Sequence, residues 1–144
     1  MPTEKTGILL VDDEVSEIEA VTRALQASKQ FKVFSALSYT EALDVYERNK
    51  KRIQLAVLDV SLPEKNGVEL AKQLLLENED LRILFISGHV GASVIRFYGM
   101  NASDEHFLQK PYSDEIILSR VQQALRGQEP LRQMLSARDS SIQE

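Results

Sequence analysis

The sequence predicts an α/β fold built on a doubly wound, five-stranded parallel sheet, and two patterns predict it. The first is a set of short aliphatic runs at Ile8–Val11, Lys32–Ala36, Leu55–Leu58, Ile83–Ile86 and Phe107–Leu108. Most are apolar continuously rather than alternately, as expected of parallel strands covered by helices on both faces. The second is helix-period spacing between the runs. Ile18, Val21 and Leu25 share one face, as do Ala42, Val45 and Tyr46, and Val68, Ala71 and Leu75. Val94, Phe97 and Tyr98 mark a fourth helix, and Ile117, Val121, Ala124 and Leu125 a fifth.

Five strand–helix alternations imply right-handed crossovers onto one sheet. The flavodoxin-like strand order 2-1-3-4-5 is adopted by analogy, since spacing alone does not fix it. The helical pattern closes near Arg126-Gly127, with Pro130 just beyond. One folded unit over residues 5–126 is therefore expected, followed by a polar tail or linker, helical in one reading, over 127–144. In that tail Leu131, Met134 and Leu135 form a single helical stripe.

A chain of 144 residues with 43% hydrophobic content suits one core. The net charge of −5 argues against an electrostatic nucleic-acid surface. The one basic run, Arg48-Asn49-Lys50-Lys51-Arg52, sits where a helix should end and is read as cations at its C-terminus. There is no cysteine, hence no disulfide, thiolate catalyst or Cys-ligated metal. The first residues lack a secretion signal, and no apolar stretch approaches the roughly 20 residues that span a bilayer, so a cytoplasmic protein without membrane contact is expected.

In open α/β sheets, ligands sit outside the carboxyl ends of the strands where the strand order reverses. The residues following each run therefore matter most. Asp12, Asp13 and Glu14 follow the first, Asp59 the third, Ser87-Gly88 the fourth, and Gln109-Lys110-Pro111 the fifth. Each has a plain local explanation: Asp13 as a helix N-cap, Asp59 as a turn residue before Pro63, Ser87-Gly88 as loop chemistry. Four loops carrying complementary chemistry on one edge favour a site instead.

Hard oxygen donors without His or Cys suit Mg²⁺, with Mn²⁺ as the alternative ion. Two carboxylates about 4 Å apart repel by roughly 4 kcal/mol at an effective dielectric near 20, and a divalent cation reverses that sign. In the adopted order Lys110 lies two strands from Asp59, about 10 Å, a gap its side chain can largely cover. A carboxylate beside a cation, an ammonium and a hydroxyl is equipped to accept a phosphoryl group. Asp59 would be the nucleophile, and Mg²⁺ and Lys110 would offset charge on the transferring oxygens.

These residues resemble the receiver domain of two-component response regulators, over roughly residues 5 to 126. The motifs that carry the resemblance are ILLVDDE at Ile8–Glu14, LDVSLPEKNG at Leu58–Gly67, ISG at Ile86–Gly88 and FLQKPY at Phe107–Tyr112. The resemblance implies that Asp59 accepts a phosphoryl group from a sensor histidine kinase or histidine phosphotransfer protein. It implies Mg²⁺ ligation by Asp13, Asp59 and the backbone carbonyl of Ser61, with Asp12 acting through a water. Ser87 would bond the phosphate and Lys110 would pair with it across a cis Lys–Pro bond. Phe107 falls at the switch-aromatic position, coupled to Ser87. The output face would comprise the fourth predicted helix, the fifth strand and the fifth predicted helix, engaging a downstream effector protein or domain, or a second copy of the chain. Ser61 and His89 hold positions that in the family tune acyl-phosphate hydrolysis, a solvated loop His being the alternative for the latter.

Three features depart from the usual pattern: Ser87 in place of Thr, the polar Ser103-Asp104-Glu105-His106 before the fifth strand, and the aromatic Phe97-Tyr98-Gly99. Two other functions compete. An aspartate-nucleophile phosphohydrolase usually carries a second Asp two residues after the nucleophile, where Ser61 stands here. A phosphorylation-independent pseudo-receiver would have no need of the complete acid, hydroxyl and Lys set. The expectation is a signalling module that turns over no external substrate and makes no direct DNA contact.

Overall fold

The computed structural model describes residues 5–88 and 104–127. Five strands, β1 (Thr6–Val11), β2 (Phe31–Ala36), β3 (Ile53–Asp59), β4 (Arg82–Ser87) and β5 (Phe107–Gln109), form one parallel sheet in the order β2-β1-β3-β4-β5. The order adopted by analogy is thus the observed one. Four helices are described: α1 (Val15–Gln26), α2 (Tyr39–Asn49), α3 (Gly67–Glu77) and α4 (Asp114–Gly127). The helix expected around Val94, Phe97 and Tyr98, His89 and the tail from residue 128 lie outside the described residues.

The central strands bury side chains on both faces, which explains their unbroken apolar sequence. Leu9, Val11, Ala56, Leu58, Ile83 and Phe85 pack with α2 and α3, while Ile8, Leu10, Leu55, Val57, Leu84 and Ile86 pack with α1 and α4. β2 lies at the sheet edge and alternates instead, with Lys32 and Ser35 exposed between buried residues. Every periodic position anticipated on α1 and α3 is buried: Ile18, Val21 and Leu25, and Val68, Ala71 and Leu75.

Local chemistry sets the helix ends. Ser38 and Asn66 cap α2 and α3 by accepting the backbone N–H of Glu41 and Glu69. The basic run sits at the end of α2, where Arg48 pairs with Asp44 and Lys50 with Glu47, as a helix C-terminus favours. The polar approach to β5 is a single 3-10 turn, Asp104–His106, in which His106 is fully buried.

Candidate functional site

The carboxyl ends of β1, β3, β4 and β5 converge on one edge of the sheet. At the end of β1, the Asp12 N–H donates to the Ala36 carbonyl at 3.2 Å, which keeps it in the sheet. Its Oδ1 accepts the Glu14 N–H at 2.9 Å, so the side chain folds over the turn into α1. Glu14, not Asp13, is the N-cap of α1, and it makes no side-chain cap bond. The helix-cap explanation for these acids therefore fails. Asp12, Asp13 and Glu14 bring carboxylate oxygens within 4.8 Å of one another, Asp12 buried and the other two exposed.

Asp59 ends β3 and is buried, its Oδ1 accepting the Ser61 N–H at 2.8 Å. The loop beyond it closes when the Gly67 N–H donates to the Val60 carbonyl at 3.0 Å. Ser87 ends β4 and is buried, and its carbonyl accepts the Lys110 N–H at 2.8 Å. The Lys110–Pro111 peptide is cis, as the resemblance implies. Lys110 Nζ then reaches Asp12 Oδ2 and Asp59 Oδ2, each at 3.1 Å. The gap anticipated from strand spacing is fully bridged.

Electrostatics follow from this packing. Burial pushes the Asp59 carboxyl up; Asp12 adds to the rise, while the Ser61 N–H and Lys110 oppose it, and the balance lies at about 6. Burial alone would lower Lys110, but Asp59 and Asp12 outweigh it and hold the ammonium above its ordinary range. The site thus keeps one fixed cation against a surplus of acid. Its donors are carboxylates, which fit a hard divalent cation such as Mg²⁺.

Asp12, Asp13, Asp59, Ser61, Ser87 and Lys110 are therefore all brought to one edge, while His89 lies outside the described residues. Phe107 stands apart from the cluster. It is half-buried against the core beneath α2 and α3, and its carbonyl accepts Arg120 Nη2 at 2.7 Å. Two residues at the site carried no expectation. Glu17, on the first turn of α1, places Oε1 3.2 Å from Lys110 Nζ. No local signal marked it, because Asp13 precedes the N-cap of α1 and the approach of Glu17 to Lys110 is tertiary. Tyr112 ends the FLQKPY motif, and its hydroxyl is buried near the same charges.

Residues 8–122 match the response regulator receiver domain. The chain belongs to that family and is the receiver domain of a two-component response regulator. It is 34% identical over 123 residues to Response regulator MprA of Mycobacterium sp. (strain KMS), covering 85% of this chain and 52% of that protein. It is 32% identical over 122 residues to Sensor kinase CckA of Brucella abortus (strain 2308), covering 85% of this chain and 13% of that one. The chain thus spans about half the length of MprA and a smaller part of CckA. Among solved structures, the non-phosphorylated HemR receiver domain of Leptospira biflexa is 31% identical, with a TM-score of 0.71 over 88% of this chain and 98% of that one.

Proposed function

We propose that Asp59 is a phosphoacceptor, receiving a phosphoryl group from a phosphohistidine on a sensor kinase or histidine phosphotransfer protein. The observation that carries this is Lys110 Nζ, held 3.1 Å from both Asp59 Oδ2 and Asp12 Oδ2. An Asp59 oxygen attacks phosphorus, the bond from phosphorus to the imidazole nitrogen breaks, and the imidazole leaves with its electron pair. Lys110 is placed to pair with the negative charge that gathers on the phosphoryl oxygens. The Ser61 N–H holds Asp59 Oδ1, which orients the carboxylate and leaves Oδ2 toward the site. Asp13, Asp59 and the Ser61 carbonyl would hold Mg²⁺, with Asp12 acting through water; the ion supplies Lewis-acid stabilisation of the transferring oxygens. Ser87, buried at the end of β4, would bond the new phosphate and relay its arrival to Phe107.

Two residues past Asp59 stands Ser61, which has no carboxyl to protonate a leaving group, so turnover of an external substrate is not part of this reading. The output is a change in the face beside β5 and α4, read by an effector protein or domain, and not direct contact with DNA. The test is intact-mass measurement after incubation with phosphoramidate, a donor whose P–N bond resembles phosphohistidine, with and without Mg²⁺. One Mg²⁺-dependent phosphoryl group is expected, absent from Asp59→Asn. Labelling that ignores the metal or survives that substitution would overturn the reading.

A further inference from the structure

The first turn of α2 is completed by the loop that follows Asp59. Ser38 accepts the Glu41 N–H at 3.1 Å, and Glu41 Oε1 accepts the Leu37 N–H at 3.2 Å. That local exchange does not serve the Thr40 N–H, one of the donors a helix start cannot pair within itself. Glu64, 24 positions further along the chain, takes it. Its Oε1 accepts the Thr40 N–H at 3.3 Å and the Thr40 hydroxyl at 3.2 Å. A carboxylate there also meets the favourable end of the helix dipole. The next residue, Lys65, sets its Nζ 5.0 Å from the centroid of the Tyr39 ring. Two successive loop residues thus grip two successive helix residues. The helix start is itself tied to the site, because the Ala36 carbonyl accepts the Asp12 N–H at 3.2 Å. A cap drawn from a distant loop constrains that loop as much as it does the helix.

We propose that Glu64 is a positioning residue for the Asp59 site: by clipping its loop to the start of α2, it fixes the Ser61 backbone. The inference rests on the metal-holding role of the Ser61 carbonyl in the proposed function. Between Ser61 and Glu64 stand only Leu62 and Pro63. Leu62 is half-buried against the core beneath α2 and α3, and the Pro63 ring fixes its own φ. Little slack therefore separates the clip from Ser61. On the other side, the Ser61 N–H holds Asp59 Oδ1 at 2.8 Å. The far end of the loop is pinned by the Gly67 N–H on the Val60 carbonyl at 3.0 Å. A displacement at Glu64 thus moves a metal donor and loosens the bond that orients the phosphoacceptor. Glu64 acts through Ser61 rather than by contact with the reacting atoms.

The test is a Mg²⁺ titration of the full chain, followed by the backbone amide resonance of Ser61 with no phosphodonor present. Glu64→Ala is expected to raise the Mg²⁺ midpoint about fivefold, less than the loss of a direct outer partner of a metal ligand because the clip is exposed. It should also shift the Ser61 resonance before metal is added. Glu64→Gln keeps an acceptor for Thr40 without the charge and should restore the native midpoint. Thr40→Val, an uncharged change on α2, should weaken binding about twofold in the native background and not at all in Glu64→Ala. An unchanged midpoint in Glu64→Ala overturns the clip. Equal weakening in Glu64→Gln assigns the effect to long-range charge and overturns it too, as do additive effects of Thr40→Val and Glu64→Ala. Failure of the native chain to bind Mg²⁺ overturns both the metal-holding role and this inference. The expected Mg²⁺ pattern in a chain that phosphoramidate does not label would overturn the phosphoacceptor reading alone and leave the role of Glu64 supported.

Discussion

A Cβ atom on Gly67 would lie 2.2 Å from the carbonyl oxygen of Asp59, nearer than any side chain tolerates. The first residue of α3 is therefore packed on the backbone of the proposed phosphoacceptor, and the loop between them has no slack. Glycine is needed here for close approach, since its neighbour is peptide backbone rather than a movable side chain. Gly67→Ala should cost about 1–3 kcal/mol, the usual range for overpacking a filled site. Urea denaturation of the variant checks this, and phosphoramidate labelling should fall with it because Asp59 must shift.

Asp59 should make stability depend on pH. Its folded value near 6 lies above the ordinary 3.8, so between these values the folded state binds more protons than the unfolded one. Stability from this group is then lost as pH rises through that window. Asp59→Asn removes the penalty. In metal-free buffer the variant should match the native chain near pH 4 and exceed it by roughly 1–3 kcal/mol at pH 7. Urea titrations at the two pH values measure the difference.

Mg²⁺ should relieve the same repulsion from outside. With free ion at about ten times the dissociation constant, binding to the folded state alone adds roughly 1.4 kcal/mol. Thermal melts with Mg²⁺ and with chelator should show that gain in the native chain. Asp13→Ala, which removes an exposed carboxylate of the acid cluster, should lose it with little change in the metal-free melt.

Arg120 Nη2 donates to the Phe107 carbonyl, tying α4 to a strand of only three residues. A charged donor to a part-buried carbonyl contributes on the order of 1.5–3 kcal/mol. Arg120→Ala should therefore speed amide hydrogen exchange at β5 selectively, with the central strands unaffected. Uniform acceleration across the sheet would show that the contact holds the whole fold rather than this edge.

The sheet was legible because its signals are local and redundant. Continuous apolar runs with helix-period segments between them left little choice of class, and the buried Ile8, Leu55 and Ile83 follow from it directly. Strand order had to come by analogy, since a 2-1-3-4-5 sheet and its permutations share one hydrophobic pattern. The acids, Ser87 and Lys110 were legible because each directly ends or follows a strand. Glu17 was not, because its role depends on where α1 turns relative to Lys110, a tertiary fact. The N-cap reading of Asp13 was a fair local inference that the turn geometry reversed, the cap falling on Glu14. The burial of His106 ran against its polar neighbours, since a 3-10 turn aims that ring inward.

The central claim is that, of several acids on one edge, Asp59 alone takes the phosphoryl group. Borohydride reduces an acyl phosphate to the alcohol, converting a phosphorylated aspartate to homoserine. After labelling with phosphoramidate and Mg²⁺, reduction and peptide sequencing should find homoserine at position 59, with Asp12 and Asp13 unchanged. Homoserine at position 12 or 13, or a labelled chain with none at 59, would contradict the account.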